Sequence, residues 1–280
     1  MKLTKDRSVN NQFTGFLKIP NLFSKTKVFS VESFETSNYA NCDVGHLDFK
    51  QLQKHKYLGK RAEFFMKSYL EQINNFHSVH HSLQVRDDKI TLGELDFLFF
   101  DCNREKWIHL ELICKFYVYR GNQNHTDIES WIGPNLKDRL DYKVHKLKTH
   151  QLKICKSLQA KRLIESLNID AEQIETNICY KAKLYLPLED EGLQLNHTNA
   201  DCIQGKFYNF ETFKAFKHSE MLFYIPQKRE WVGQPEAHYR WYDFSKAEQL
   251  LKPKIHQKRS QMLWRKTKTG DYFEDFVVWW

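Results

Sequence analysis

The feature that most constrains this fold is an apolar run that carries two charged side chains. Residues 107–119 read WIHLELICKFYVY, and such β-branched and aromatic residues favour strands. Because the apolar residues are nearly continuous, the run predicts a strand in the middle of a sheet, covered on both faces. Glu111 and Lys115 lie on one face of this strand, since side chains alternate between faces. Burying both charges is costly unless they are paired or bind a ligand.

The preceding segment supplies more acidic side chains. Residues 90–101, ITLGELDFLFFD, predict a second strand that carries Glu94 and Asp96 on one face. Only a short loop separates it from the first run, so the two strands are expected to be neighbours. Carboxylates that converge from neighbouring strands make an oxygen-rich site of the kind that Mg²⁺ or Mn²⁺ prefers.

Two helices are expected to flank these strands. Apolar residues recur at helical spacing from Tyr57 to about Ile73. A second helix is predicted over 134–150, because Pro134 suits a first helical turn. Its basic face is usually no more than a solvated surface, but its position directly after the charged strand makes it a candidate for contacts with nucleic-acid phosphates. The basic residues are Lys137, Arg139, Lys143, Lys146 and Lys148.

The rest of the chain divides into three expected parts. Residues 1–56 form an N-terminal extension of short helices and loops, and residues 57–190 form the core. Residues 191–280 hold most of the tryptophans and predict a β-rich, aromatic C-terminal elaboration. Its strands either form an addition or rejoin the core sheet, in which case it belongs to the same domain.

Composition sets the expected environment and partner. The formal net charge of +8 suits a polyanionic partner. The six cysteines lack the spacing of a zinc site and are interpreted as free thiols. No signal peptide is recognisable and no run of 18 apolar residues occurs, so we expect a cytoplasmic protein without a membrane partner.

These residues resemble the PD-(D/E)XK nuclease superfamily, in particular its small resolvase-like members. The resemblance is carried by Gly59 to Glu63, Gln84 to Arg86, Gly93 to Asp96 and Glu111 to Lys115. A closer resemblance is to a bacterial family of unknown function (DUF1853-like) that is usually placed in that superfamily. It is carried by LGKRAEFF, TLGELDFLF, ELICKFYV and WIGPNLKDRLDYKVHKLKTHQL. It implies an α/β, restriction-endonuclease-like core with a mixed central sheet flanked by helices, besides the C-terminal elaboration.

The resemblance also implies roles for individual residues. Asp96 would be the principal ligand of Mg²⁺ or Mn²⁺, and Glu111 a second ligand. Glu63 would be an accessory acid that orients the attacking water, and Lys115 would stabilise charge developing on a phosphate. The implied activity is that of a metal-dependent phosphodiesterase, a nuclease acting on nucleic acid and first of all on DNA. Resolvase-like relatives often act as dimers, but the sequence itself leaves a homodimer open. Supporting roles fall to Glu94, Gln84 and Arg86.

One departure from the superfamily pattern leaves the activity open. The usual motif places the acid two residues before the lysine, where this chain has Ile113. Glu111 and Lys115 therefore stand ~13 Å apart along the strand instead of ~7 Å. Either Glu111 reaches the metal from one pleat away, or the chain is a catalytically inactive module that binds nucleic acid or a protein partner. A third hypothesis places the working surface on the aromatic C-terminal part.

Overall fold

The strands of this protein form a large mixed sheet flanked by helices, which confirms the α/β class. The computed structural model describes residues 2–23, 28–36, 42, 47–121, 126–189, 195–236 and 238–280. The chain forms two compact units, each assembled from stretches that are separated in sequence. The first unit comprises Asn21–Cys114 and Tyr142–Lys181, and the second comprises Met1–Pro20, Lys115–Asp141 and Ala182–Trp280.

The helices differ widely in length. None of those in the described ranges combines the length and the apolar run that crossing a bilayer requires. Those described are α1 (Lys2–Lys18), α2 (Phe49–Lys54), α3 (Leu58–Gln72), α4 (Asp127–Ser130), α5 (Leu140–Thr149), α6 (Leu158–Glu165), α7 (Phe210–Lys214) and α8 (Phe244–His256). A 3₁₀ helix, Gln151–Lys156, follows α5.

The described strands contribute to the two units as follows. In the first unit β2, β3, β4 and β6 are neighbours in that order, and β1 pairs with β6. In the second unit β6, β7, β10, β9 and β8 follow one another, and β5 pairs with β4. The strands are β1 (Glu32–Ser33), β2 (Phe76–Asp87), β3 (Ile90–Asp101), β4 (Lys106–Tyr119), β5 (Trp131–Ile132), β6 (Ile174–Pro187), β7 (Ile203–Asn209), β8 (Leu222–Tyr224), β9 (Gln261–Lys266) and β10 (Tyr272–Val278).

The interpretation of 107–119 as a central strand is confirmed. β4 lies between β3 and β6, so it is an interior strand of the sheet. Ile108 and Leu110 are buried on one face of β4, and His109 and Glu111 are buried on the other face. Near-continuous apolar sequence is what burial on both faces requires. The charged Glu111 is therefore an exception that the fold must accommodate.

Two predictions about helices are wrong. Residues 2–18 form one 17-residue helix where short helices and loops are expected. The helix expected from Pro134 begins only at Leu140. A tight turn precedes it, in which Leu136 has a φ of 60° and Gly133 N–H donates to the carbonyl of Asp138 at 2.7 Å. Such a left-handed residue ends helical geometry.

The second unit buries two ion pairs in full. Lys183 Nζ lies 2.8 Å from Glu274 Oε2, and the side chains of both are 2% exposed. The Tyr185 hydroxyl also donates to Glu274, and the Arg265 guanidinium donates to Asp275. Buried charges are tolerated in a core when they are paired and hydrogen-bonded.

We therefore expect Lys183→Met to destabilise the protein by about 3–5 kcal/mol, because it leaves the Glu274 carboxylate without its cation. The double variant Lys183→Met/Glu274→Leu should recover part of that loss. The measurement is the free energy of unfolding in urea. Glu211→Gln is the matched control, since its pair with Lys214 is exposed and removal should cost at most about 1 kcal/mol. Equal losses in Lys183→Met and Glu211→Gln would contradict this account of the core.

Candidate functional site

The candidate site lies where the β3–β4 ladder ends. The two strands pair in antiparallel register as far as Phe97 and Leu110. The next opposite positions are Asp96 and Glu111, and opposite residues of an antiparallel pair point to the same face. The ladder does not continue there, and instead Asp96 Oδ2 accepts a 2.9 Å hydrogen bond from the backbone N–H of Leu112. This bond fixes the Asp96 carboxylate beside Glu111.

Among the acids of the candidate site, Glu111 is the most deeply buried. Its residue is 1% exposed, and Oε1 accepts a 2.6 Å hydrogen bond from Gln151 Nε2. Oε2 is buried and has no hydrogen-bond partner within the described residues. Burial, and then the negative charge of Asp96, raise the pKa of Glu111 to about 8. Buried polar atoms nearly always have a hydrogen-bond partner, so a ligand is the expected partner of Glu111 Oε2.

Asp96 is more accessible than Glu111 and is half-buried. Burial raises the pKa of Asp96 to about 6, the Leu112 N–H opposes this, and the charges of Glu63 and Glu94 add to it. The positive charge of Lys143 lowers the pKa of both acids. Two carboxyl groups that share a site and both have a raised pKa cannot both ionise readily at neutral pH. A cation that replaces the retained proton would relieve this repulsion.

Gln151 links the acidic pair to a lysine, and sequence reasoning missed it. Its Nε2 donates to Glu111, and its Oε1 accepts a 2.7 Å bond from Lys143 Nζ. Gln151 opens the 3₁₀ helix, which can lie close to β3 because Gly93 has no side chain. A Cβ at Gly93 would come within 2.2 Å of Ile154 Cδ1. No local sequence signal marks Gln151, because its role depends on this approach.

Glu63, the acid on α3, is held at the same site by Lys60, which sequence reasoning also missed. Lys60 Nζ lies 2.6 Å from Glu63 Oε2 and 3.5 Å from Glu94 Oε1, so it bridges the helix and β3. Burial raises the pKa of Glu63 in spite of this lysine. Lys67, four residues after Glu63 on α3, lies 3.5 Å from Glu71. The three-residue spacing of Lys60 and Glu63 was the available signal.

The two supporting residues of β2 contact each other. Gln84 stands opposite Glu94 in the β2–β3 register. Arg86 Nε donates to Gln84 Oε1 at 3.1 Å, and both side chains are exposed. Val85 between them is fully buried, as strand alternation predicts. The structure thus gives Gln84 and Arg86 a place on the solvent side of the sheet, beside the Glu94 position.

Lys115 and Ile113 follow Glu111 along β4. In the second unit, the Lys115 amine binds Asp138 Oδ2 at 2.5 Å, so its charge has an acid partner there. Ile113 is 3% exposed and packs as a core residue. The motif position that would carry an acid in the superfamily is therefore filled by a buried hydrocarbon side chain.

The basic residues predicted for phosphate contact do not all lie on one helix. Lys137 and Arg139 precede α5 in the second unit, where Arg139 Nη2 lies 2.6 Å from Asp141 Oδ2. Lys143 and Lys146 are on α5 in the first unit, and the charges of both lower the pKa of Glu111. Within the first unit, the positive charges that act on the acidic pair are therefore lysines of α5.

The donor set fits a hard divalent cation. Across the part of the chain that the structure describes, no three or more His, Cys, Asp or Glu side chains are arranged to hold a metal ion. Mg²⁺ nevertheless commonly binds through one or two carboxylates, with water and substrate phosphate completing its shell. The carboxylate of Asp96 and the unbonded Oε2 of Glu111 supply that pair.

The raised pKa values predict an unusual pH dependence of stability. A native Glu111 that holds its proton up to about pH 8 binds more protons than the unfolded chain does above the ordinary carboxyl pKa. The free energy of unfolding should therefore fall as pH rises from about 5 to about 8, by up to about 1.4 kcal/mol per pH unit. Glu111→Gln should flatten this dependence when urea unfolding is measured in EDTA. The exposed Glu165→Gln is the control, and parallel profiles for wild type and Glu111→Gln would contradict the prediction.

Comparison with known proteins identifies the family. Residues 43–275 match the family described as "Domain of unknown function (DUF1853)". No curated protein and no solved structure matches the chain. The match includes both strands of the acidic pair, α3, α5 and the 3₁₀ helix of Gln151. Because it spans most of the sequence, this protein belongs to the DUF1853 family, whose function is unknown.

Proposed function

We propose that this protein is a Mg²⁺- or Mn²⁺-dependent phosphodiesterase that acts on nucleic acid, with DNA as the first substrate, on a PD-(D/E)XK nuclease core. The observation that carries the proposal is the buried pair Asp96 and Glu111, with one carboxylate oxygen left unbonded beside the positive charges of α5. Raised pKa values in a group of neighbouring buried acids are typical of functional sites.

The chain's own residues would hold the reacting groups as follows. Asp96 and Glu111 would be the ligands of the metal, the first fixed by the N–H of Leu112 and the second by Gln151. When bound, Mg²⁺ or Mn²⁺ supplies Lewis acidity towards a phosphoryl oxygen and lowers the pKa of water. Glu63, oriented by Lys60, would accept a hydrogen bond from the attacking water.

The cation that faces the phosphate is best assigned to Lys143. Its Nζ is held by Gln151, and its charge acts on both Asp96 and Glu111. The amine of Lys115 binds Asp138 in the second unit. A fixed positive charge near the scissile phosphate stabilises the charge that develops in the transition state. The lysine role would thus have moved from the strand to the helix.

A second candidate function is a catalytically inactive nuclease-fold module that binds nucleic acid or a protein partner. The observation that favours it is Ile113, a core residue at the position where the superfamily motif places an acid. Such a module would bind DNA in a salt-sensitive way. It would not cleave DNA with Mg²⁺, Mn²⁺ or Ca²⁺.

Metal binding tests the site directly. Calorimetric titration of Mn²⁺ or Mg²⁺ should show binding to the wild type and none to Asp96→Asn or Glu111→Gln, because each removes a ligand charge. Gln151→Ala should weaken binding by about 10–100-fold, as loss of a group that orients a ligand typically does. The exposed Glu165→Gln is the control. Unchanged binding in both carboxylate variants would remove the metal site from the proposal.

Cleavage distinguishes the two candidate functions. With Mn²⁺ or Mg²⁺ and single- or double-stranded DNA, Lys143→Met should lower the cleavage rate by about 100-fold, typical of a lost electrostatic contact. Lys115→Met should have a smaller effect. A larger loss in Lys115→Met than in Lys143→Met would return the role to Lys115. Salt-sensitive binding by a wild type that cleaves neither DNA nor RNA would instead establish the inactive module.

A further inference from the structure

A cleft of about 810 Å³ opens in the first unit and has no role in the proposed chemistry. One wall is formed by the end of α5 and the 3₁₀ helix, the others by residues 28–32 and the start of β6. Its volume lies within the range of about 300–1,000 Å³ typical of small-molecule sites. It is therefore large enough for a ligand the size of one or two nucleotides.

Three lysines line one wall of the cleft: Lys148, Lys153 and Lys156. All three are exposed. Lys153 and Lys156 are three residues apart in the 3₁₀ helix, a spacing at which side chains eclipse, ~6 Å apart along the axis. Lys148 lies in the last turn of α5, and its Nζ is 5.9 Å from the centre of the Phe29 ring, which also lines the cleft. Together they present a row of cations at one side.

The acids that line the cleft are neutralised from elsewhere. Glu175 lies 2.5 Å from Arg104 Nη2 and 3.0 Å from Lys106 Nζ. Glu32 lies 3.4 Å from the same guanidinium. Neither Arg104 nor Lys106 is among the lining residues. The positive charge of the lysine row therefore remains available to an anionic ligand.

The remaining lining is largely apolar. Phe29 and Leu152 are buried in the cleft wall, and Val31 and Ile174 are half-buried beside them. An anion alone would gain nothing from this surface. A ligand that carries phosphate together with a sugar and a base would use both the lysines and the apolar lining.

The cleft is also linked to the acidic pair by a single short element. Gln151, which bonds Glu111, is followed directly by Leu152 and Lys153 in the same 3₁₀ helix. A strand whose scissile phosphate sits at Glu111 could thus continue along this helix. Such a cleft suits one strand with its bases unpaired, and protein contacts to single strands combine cations with apolar or aromatic surface in this way.

We propose that this cleft binds nucleotides of a single-stranded nucleic acid, with phosphates on the lysine row and sugar and base against the apolar lining. The use of such a strand as substrate rests on the proposed function, whereas the binding itself does not. A free nucleotide would offer the same phosphate, sugar and base, and the experiment distinguishes a free nucleotide from a strand.

The experiment measures binding of a short fluorescent oligothymidylate by anisotropy, in EDTA and over a series of salt concentrations. Lys148→Gln/Lys153→Gln/Lys156→Gln should weaken binding at least tenfold at low salt. The slope of log K against log salt should become shallower by about 2, since each phosphate contact to a single strand contributes about 0.7. A matched control removes three exposed lysines of the same unit, as Lys50→Gln/Lys54→Gln/Lys89→Gln.

Equal effects of the two triple variants would overturn the proposal, because the loss would then reflect net charge alone. So would the absence of binding in the wild type, or displacement of the strand by duplex DNA as readily as by unlabelled strand. If thymidine monophosphate displaces the fluorescent strand as effectively as the unlabelled strand does, the ligand is a free nucleotide. That result would overturn the proposal that the cleft binds a strand. Metal titration at Asp96 and Glu111 reports separately on the proposed function, since it requires no strand.

Discussion

The β3–β4 ladder stops one residue short of Asp96 and Glu111, and the Asp96 side chain takes up the N–H of Leu112 that the ladder leaves there. At this position the Asp96 carboxylate accepts the hydrogen bond that a backbone carbonyl accepts elsewhere in the ladder. The rest of the site depends on that exchange. It holds one carboxylate next to the other in surroundings that disfavour charge on both. Gln151 and Lys143 then act on a pair whose geometry the backbone has already set.

The two units treat buried charge in opposite ways. In the second unit, Glu274 and Asp275 are buried with a lysine, an arginine and hydroxyl donors bound to them. In the first unit, Glu111 is equally buried but has a neutral amide on one oxygen and no partner on the other within the described residues. A protein that can satisfy buried acids fully in one place leaves one unsatisfied in another. That contrast favours a functional reason for Glu111 over a structural one.

The 3₁₀ helix after α5 serves two surfaces at once. Its first residue orients Glu111, and two of its lysines line the cleft. Gly93 permits this arrangement because a larger residue would collide with Ile154. A ligand in the cleft would therefore contact the element that positions the acidic pair.

The sequence by itself determined β3, β4 and α3, because these elements depend on local periodicity; it did not predict the long α1, nor α7 and α8 in the part expected to be β-rich. The near-continuous apolar run of β4 predicted its burial, and strand alternation placed Asp96 and Glu94 on one face. The sequence also carried the family, through strings that span both strands. It failed at Pro134, where a left-handed Leu136 and a turn closed by Gly133 delay α5. Helical spacing alone cannot register such a turn.

Only the tertiary structure decided how the charges are shared. Gln151 reaches Glu111 across forty residues of sequence, and Lys115 binds Asp138 instead of an acid of the motif. The interleaving of 21–114 with 142–181 in one unit brings α5 to the acidic pair. Hydrogen bonds and ion pairs between distant residues depend on where backbones approach one another, which local patterns do not encode. The sequence therefore pointed to the acids of the candidate site, and the packing of distant segments decided which partners those acids contact.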